Sequence, residues 1–192
     1  HKQYSMRTYD IQAPNTRIRD DIQRKIDNLN KPKGSLGTLE DIAMQLCLVQ
    51  QRLTPSLNHP CHLLLGGDHG IEKEGVSASP REVTWQQMVN FTLGGGGVNM
   101  FCRQHGFHLR IVDVGVDHDL SHTDGIIHRK IAYGTRNFLY EPAMTYQEMD
   151  QALTVGEDLV DQCVMEGCEV VCIGEMGIAN TSPSSIWMSL FA

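Results

Sequence analysis

The run Val170-Val171-Cys172-Ile173, followed by Gly174-Glu175-Met176-Gly177-Ile178-Ala179-Asn180-Thr181-Ser182-Pro183, decides how this chain is read. The β-branched run Val170 to Ile173 predicts a short strand and the two glycines a loop. Pro183 suits the first turn of a helix begun at Thr181 or Ser182. A strand, a glycine loop and a helix N-terminus in succession present free backbone N–H groups and the positive end of a helix dipole to an anion. Glu175 adds a carboxylate to that rim. A phosphate cradle with a built-in acid points to chemistry on a phosphorylated ligand. For Glu175 itself two roles stand level. It can cap the helix, or, partly withdrawn from water with its pKa raised, act as a base.

Working outward, Cys61 to Leu65 and Leu109 to Val116 read as two further strands, the first ending in Gly66-Gly67-Asp68-His69-Gly70. Helical patterns separate them. Asn15 is placed to cap a first helix with Ile18, Ile22, Ile26 and Leu29 on one face, ending near Asn30. Thr38 with Asp41 resembles the cap of a second, striped by Leu39, Ile42, Ala43, Leu46 and Val49. Helical sequence from Arg81 to His105 is interrupted by Gly94-Gly95-Gly96-Gly97, which marks a break between helices or a close approach of backbone to ligand. Thr145 with Glu148 is a capping box opening a helix striped by Met149, Leu153, Leu159, Val160 and Cys163 or Val164. Strands alternating with helices imply a parallel sheet with right-handed crossovers, and ligands then bind beyond the carboxyl ends of the strands. Those ends carry Asp68-His69, Asp113 with Gly115 and Asp117, and Gly174-Glu175, which should meet on one rim. The fold class expected is α/β, a Rossmann-like parallel sheet with flanking helices. A small N-terminal helical segment (1–54) precedes the α/β domain (55–192).

The composition excludes several classes. A chain of 192 residues, 41 % hydrophobic and 20 % charged, buries a core of its own. A net charge of −7 argues against nucleic acid as a partner. Arg17, Arg19, Arg24 and Lys25 sit among acids and read as a solvated helix face. No apolar run reaches bilayer-spanning length, and the N-terminus has no apolar h-region. His1 is not a native start, and Met6 is the candidate initiator. The six cysteines, Cys47, Cys61, Cys102, Cys163, Cys168 and Cys172, include no C-x-x-C pair and fall mostly in apolar segments, as reduced buried thiols do. A reducing, cytoplasmic compartment is expected. Cys163, Cys168 and Cys172 straddle a helix end, a turn and a strand, and no metal site is expected of that trio.

Other clusters have bland readings. Asp68-His69 stays open between a metal pair, an acid–base pair and a turn, with loop positioning favoured over direct catalysis. His118, His122 and His128 with Asp117, Asp119 and Asp124 fit no regular ligand spacing and read as a solvated loop. The tetraglycine lacks the lysine and hydroxyl of a nucleoside-triphosphatase loop. Gly75 to Pro80, then Gln87, offers hydroxyl and amide groups beside apolar ones, a mixture that grips a flat heteroaromatic ring. Alone, such serines are more often helix caps.

Five blocks in order carry a resemblance: IDNLNKPKGSLGTLEDIAMQL (26–46), GGDHGIEKEGVSASPREVT (66–84), IVDVGVD (111–117), GTRNFLYEPAMT (134–145) and GEMGIANTSP (174–183). From the first helix to the last residue the chain resembles the nicotinate-nucleotide:dimethylbenzimidazole phosphoribosyltransferase family of cobalamin lower-ligand assembly. The resemblance implies a Rossmann-like domain with a smaller helical domain. It also implies transfer of the 5-phosphoribosyl group from nicotinate mononucleotide to 5,6-dimethylbenzimidazole, giving α-ribazole 5′-phosphate and nicotinate. By position it puts Ser79, Pro80 and Gln87 in the benzimidazole pocket with Met176 beside the ring. Gly177, Asn180 and Thr181 fall in the nucleotide-phosphate region, and Glu175 is the acid of the glycine loop. No metal or organic cofactor is expected, and a homodimer is.

Family members continue beyond the position of Ala192, and their C-terminal part holds another catalytic glutamate, usually the principal base, and more phosphate-binding glycines. Ile186, Trp187, Leu190 and Phe191 are expected to face a core, yet three strands and an unfinished helix close no sheet. The expectation is therefore a fragment, or a sheet completed elsewhere. The alternatives are a catalytically incomplete ligand-binding or dimerisation module, and a phosphoribosyltransferase for another azole base.

Overall fold

A computed structural model of the chain describes residues 7–192, so the readings of His1 and Met6 lie outside the described residues. The chain divides into two compact units, one ending at Ser56 and the other spanning Leu57–Ala192.

The first unit is a helix pair, α1 (Arg19–Asp27) and α2 (Thr38–Gln50). Its core is Ile22, Ile26, Met44, Cys47 and Leu48, with Ile18 and Ala43 packed against it. The expected stripe of α2 is the wrong one. Leu39, Ile42 and Val49 are exposed, while Met44, Cys47 and Leu48 are buried. Leu, Ile, Val and Met occur on two sides of this helix, so periodicity alone did not select the face. Leu29 is exposed as well. Asn15 does not cap α1; its side chain accepts from the Arg17 N–H in a local turn. Nor does Thr38 cap α2, which starts after Gly37 without a side-chain cap. Glu40 replaces it, accepting from the Leu36 N–H at 3.1 Å and from Lys31 at 2.7 Å. Both bonds, the Lys31 one first, hold the Glu40 carboxyl below its usual range.

The second unit is a four-stranded, wholly parallel sheet in the order β3-β2-β1-β4: β1 (Cys61–Gly67), β2 (His108–Gly115), β3 (Ile126–His128) and β4 (Val171–Met176). Alternation along β1 and β2 sends residues to two cores. Cys61, Leu63 and Val112 pack with Val155, Leu159 and Cys163 of α5 (Tyr146–Met165). Leu64 and Ile111 pack on the other face with Met88 of α3 (Glu82–Thr92), and Val98 of α4 (Gly97–His105) joins them. A sheet buried on both faces explains the near-continuous apolar reading of β1 and β2.

The tetraglycine separates α3 from α4, as one of its two readings held. Gly94 takes a positive φ, and buried Asn99 joins the two helices. Its Oδ1 accepts from the Gly96 N–H and its Nδ2 donates to the Phe91 carbonyl. Thr145 and Glu148 form the expected capping box of α5. Its buried face is Val155, Leu159 and Cys163, whereas Met149, Leu153, Val160 and Val164 are exposed.

Two stretches of the second unit differ from expectation. The six His and Asp side chains from Asp117 to His128 are exposed, as the solvated reading has them, but the stretch is no plain loop: it contains β3 and buries Leu120 and Ile126. Lys130 ties its start down, donating to the Val116 and His118 carbonyls and pairing with Asp113 at 2.8 Å. The last strand also runs further than expected, through Met176, because Leu65 and Gly66 of β1 offer ladder partners to Glu175 and Met176. In α6 (Thr181–Phe191) the expected core-facing residues are exposed, Trp187 at 67 % and Phe191 at 86 %.

Candidate active site

The strand order defines where a ligand sits. From β1 the chain moves to β2 and β3 on one side, then crosses to β4 on the other, so the topology reverses between β1 and β4. In an open parallel sheet the crevice beyond the carboxyl ends at that reversal is the binding site. Here it is a cleft of about 290 Å³ lined by Leu65, Gly67, His69, Val114, Glu175, Asn180, Pro183, Ser184 and Trp187. A second cleft of about 170 Å³ lies against Gly67, Asp68 and His69 under the segment 131–144, reaching Glu148.

The three expected strand ends meet on this rim, each held by backbone bonds. Asp68, 3 % exposed, accepts from the Asp117 N–H at 2.7 Å, donates its own N–H to the Gly115 carbonyl, and accepts from Thr135 N–H on its carbonyl. Asp113, 1 % exposed, accepts from the N–H groups of Gly115 and Val116 while pairing with Lys130. Both aspartates therefore position loops, and both oxygens of Asp113 are engaged in doing so. Arg81 adds a brace, binding Glu72, Asp117 and the His69 carbonyl.

The β4–α6 loop approaches β1 so closely that Gly177 is obligatory. A Cβ there would stand 2.1 Å from the Gly67 carbonyl oxygen and 3.0 Å from His69 Nε2. Gly70 is fixed for the same reason, since its Cβ would meet the backbone of Arg136 and Asn137 at 2.5 Å. The Ile178 N–H donates to buried Thr84 Oγ1 of α3 at 3.0 Å, and Ala179 takes a left-handed φ of 69°. Non-glycine residues held in that region cluster at functional loops.

The sheet's alternation sorts the expected site residues by face. Glu175 pairs with Leu65 and shares the crevice with Asn180, whose amide donates to the Glu175 carboxylate. Thr181 opens α6 beside it. Glu175 is exposed in this chain, so the withdrawal from water expected of it is not present. His69 faces the same crevice. Burial, the main influence, pushes its imidazole below the usual value, against the opposing pull of Glu175 and Asp68, so the ring is neutral near pH 7. Met176 points to the opposite face and packs against the Leu64, Met88 and Ile111 cluster. Ser79 and Pro80 lie exposed just before α3, and Gln87 lies within it, accepting from Asn90 at 3.1 Å. None of these three lines either cleft.

The segment 131–144 forms a wall of the site that no local sequence pattern marks. Thr135 Oγ1 accepts from the Gly70 N–H at 3.1 Å, and the Gly134 N–H binds the Gly115 carbonyl, laying the segment across the β1 and β2 ends. Arg136 fastens its far end through paired bonds to Glu148 at 3.2 and 2.7 Å. The GTRNFLYEPAMT block was visible as a motif but received no role. Trp85 stacked on His118, centroids 4.3 Å apart, was likewise not foreseeable from either residue alone.

A topological-reversal crevice with a glycine loop, a helix N-terminus and a carboxylate on its rim is the place where an open α/β sheet can take an anionic ligand. The chain belongs to the phosphoribosyltransferase family DBI_PRT, which it matches over residues 11–192. It is 55 % identical over 186 residues to the nicotinate-nucleotide–dimethylbenzimidazole phosphoribosyltransferase of Bacteroides fragilis, covering 97 % of this chain and 54 % of that protein. The equivalent enzyme of Phocaeicola vulgatus is 53 % identical over 185 residues, covering 96 % of this chain and 54 % of that protein. The crystal structure of CobT from Thermus thermophilus superposes with a TM-score of 0.86 at 35 % identity, over 90 % of this chain and 52 % of that one. The chain thus spans about half the length of the curated relatives it matches.

Proposed function

We propose that this chain forms part of an enzyme transferring the phosphoribosyl group of nicotinate mononucleotide to 5,6-dimethylbenzimidazole, releasing nicotinate and α-ribazole 5′-phosphate. The observation that carries the reading is the β1/β4 crevice, where Glu175 and Asn180 stand beside a glycine loop and a helix N-terminus. In the substrate the nicotinate nitrogen is cationic and departs without a general acid. The attacking benzimidazole must lose its N–H proton as its other nitrogen bonds to the anomeric carbon. A carboxylate on the azole side accepts that proton, and Glu175 is assigned to help do so. Attack opposite the leaving group inverts the anomeric carbon from β to α, and holding both rings about one ribose supplies proximity.

In this reading Gly177, Asn180 and Thr181 receive the nucleotide phosphate. The α6 N-terminus and the backbone N–H groups of the loop supply the attraction. Ser79, Pro80 and Gln87 border the benzimidazole from the α3 side, with Met176 on the same face of the sheet. Residues 1–54 contribute to a small helical domain, and residues 55–192 to the phosphoribosyltransferase domain. The protein works as a cytoplasmic homodimer on small molecules, without nucleic acid, membrane or cofactor.

The test is product analysis by chromatography and proton NMR, using nicotinate mononucleotide with a panel of benzimidazoles. The α-anomer of the dimethylbenzimidazole product is expected. Glu175→Gln should lower kcat by about 10²-fold or more, the usual worth of a positioned base. Product from a different azole alone would give the reaction to another phosphoribosyltransferase. Binding of dimethylbenzimidazole without product, and unchanged by Glu175→Gln, would leave only a binding module and end the enzymatic reading.

A further inference from the structure

At the amino end of the sheet, away from the crevice, three thiols converge. Cys61 opens β1, Cys163 lies in the last turn of α5, and Cys168 follows that helix. Their sulfurs all lie within 4.8 Å of one another, with Cys61 and Cys163 fully buried. A zinc–sulfur bond of about 2.3 Å sets the sulfurs of a zinc thiolate site about 4 Å apart. The cluster is therefore within a small side-chain adjustment of ligand spacing.

The backbone holds the cluster in place. The Cys168 N–H binds the Cys163 carbonyl at 2.9 Å and the Gly167 N–H binds the Val164 carbonyl at 3.0 Å, with Gly167 at φ 78°. That pair of bonds is a Schellman helix end, in which the first and last residues bring their side chains together. Here both are cysteine. The Cys61 N–H binds the Val170 carbonyl at 2.9 Å, fixing the third thiol against the start of β4.

The surroundings supply charge and access. The Arg110 side chain, 8 % exposed, lies by the thiols and bonds to Glu166, whose carboxylate is at the solvent edge. Burial pushes the Cys61 thiol up to about 12 and raises Cys168 as well, against the opposing pull of Arg110. A cleft of about 300 Å³ lined by His59, His108, Arg110 and Cys168 opens onto the cluster. Three thiolates, one dication and the Arg110 guanidinium sum to zero charge.

We propose that Cys61, Cys163 and Cys168 bind a zinc ion as a structural trithiolate site, its fourth position facing the cleft that contains His59 and His108. Binding forms three zinc–sulfur bonds and releases three thiol protons to solvent, with no change of redox state. Zinc then clamps the end of α5 and the turn after it to the first residue of β1.

The test loads the purified, reduced protein with zinc alone and measures bound metal, its X-ray absorption spectrum and the melting temperature. One ion per chain, three sulfur neighbours and a zinc-dependent rise in Tm are expected. Single substitutions Cys61→Ser, Cys163→Ser and Cys168→Ser should each weaken zinc binding by at least ~100-fold, since even outer-shell losses cost up to that much. Cys102→Ser, on the other face of the sheet, should leave binding unchanged. The absorption spectrum needs no variant, so a misfolding substitution does not decide the matter. Fewer than three sulfurs, no stoichiometric zinc, or a disulfide joining two of the three in the protein purified without reductant would overturn the proposal.

Discussion

Gly177 and Glu175 serve one purpose, bringing an acid and a bare backbone to the same wall of β1. With the Gly67 carbonyl 2.1 Å from where a Cβ would stand, Gly177→Ala forces the loop away from β1. It should cost about 1–3 kcal/mol by overpacking, read as a lower Tm, and should weaken nicotinate mononucleotide binding in calorimetry. An unchanged Tm would mean the loop yields freely. Glu148 gives a pH-dependent counterpart at the cleft wall. Its bond to Arg136, then the Thr145 N–H, pulls its carboxyl from 4.5 to about 2. The unfolded chain therefore binds more protons between those values, and the stabilisation is complete above pH 4.5 and lost as pH falls towards 2. Melting curves of wild type and Glu148→Gln should accordingly differ most near pH 7 and converge on acidification.

At the scale of elements, α5 shows how a helix chooses its buried face. Leu153 and Leu159 were both assigned to the stripe, yet Leu159 is 1 % exposed and Leu153 42 %. Leu159→Ala should lower unfolding free energy by about 2–5 kcal/mol in urea titration. Leu153→Ala should change it by no more than about 0.5 kcal/mol. Equal effects would mean that α5 is rotated about its axis. The α3–α4 break depends on Asn99, which satisfies groups on both helices. Asn99→Ala removes the acceptor of the Gly96 N–H and leaves the Phe91 carbonyl only the Gly94 N–H as donor, and should cost about 1–3 kcal/mol by the same measurement.

For the whole molecule, the imbalance lies at the β4 edge. One face of the sheet is closed by α5 and the other by α3 and α4, but Ile173 of β4 is exposed, and Trp187, Met188, Leu190 and Phe191 make α6 strongly apolar towards solvent. Contiguous exposed apolar surface of this kind binds hydrophobic dyes and promotes association. The 192-residue chain should bind anilinonaphthalene sulfonate and self-associate in analytical ultracentrifugation. Trp187→Glu with Phe191→Glu should reduce both; dye binding untouched by that pair would locate the patch elsewhere. Among the described residues no helix is long and apolar enough to cross a membrane.

The parallel α/β class, the breaks at glycine, the capping box of α5 and the loop beside Glu175 are all legible in the amino-acid order. Those features rest on local rules: a strand's short β-branched run, a glycine's freedom, a carboxylate three residues after a threonine. Which side of α2 and α5 is buried was decided only in three dimensions, because each carries apolar residues on more than one side. β3 was invisible because three residues give no period, and its pairing with β2 comes from Lys130 and buried Leu120 folding the preceding stretch down. The same division holds for the cysteines. Their sequence grouping put Cys163 and Cys168 with Cys172. Strand alternation turns Cys172 to the other face, lining a cleft with His62 and Cys102. The parallel register instead brings Cys61, from the first strand of the sheet, to the end of α5. Proximity across a sheet follows from strand order and pleat, which no local spacing encodes.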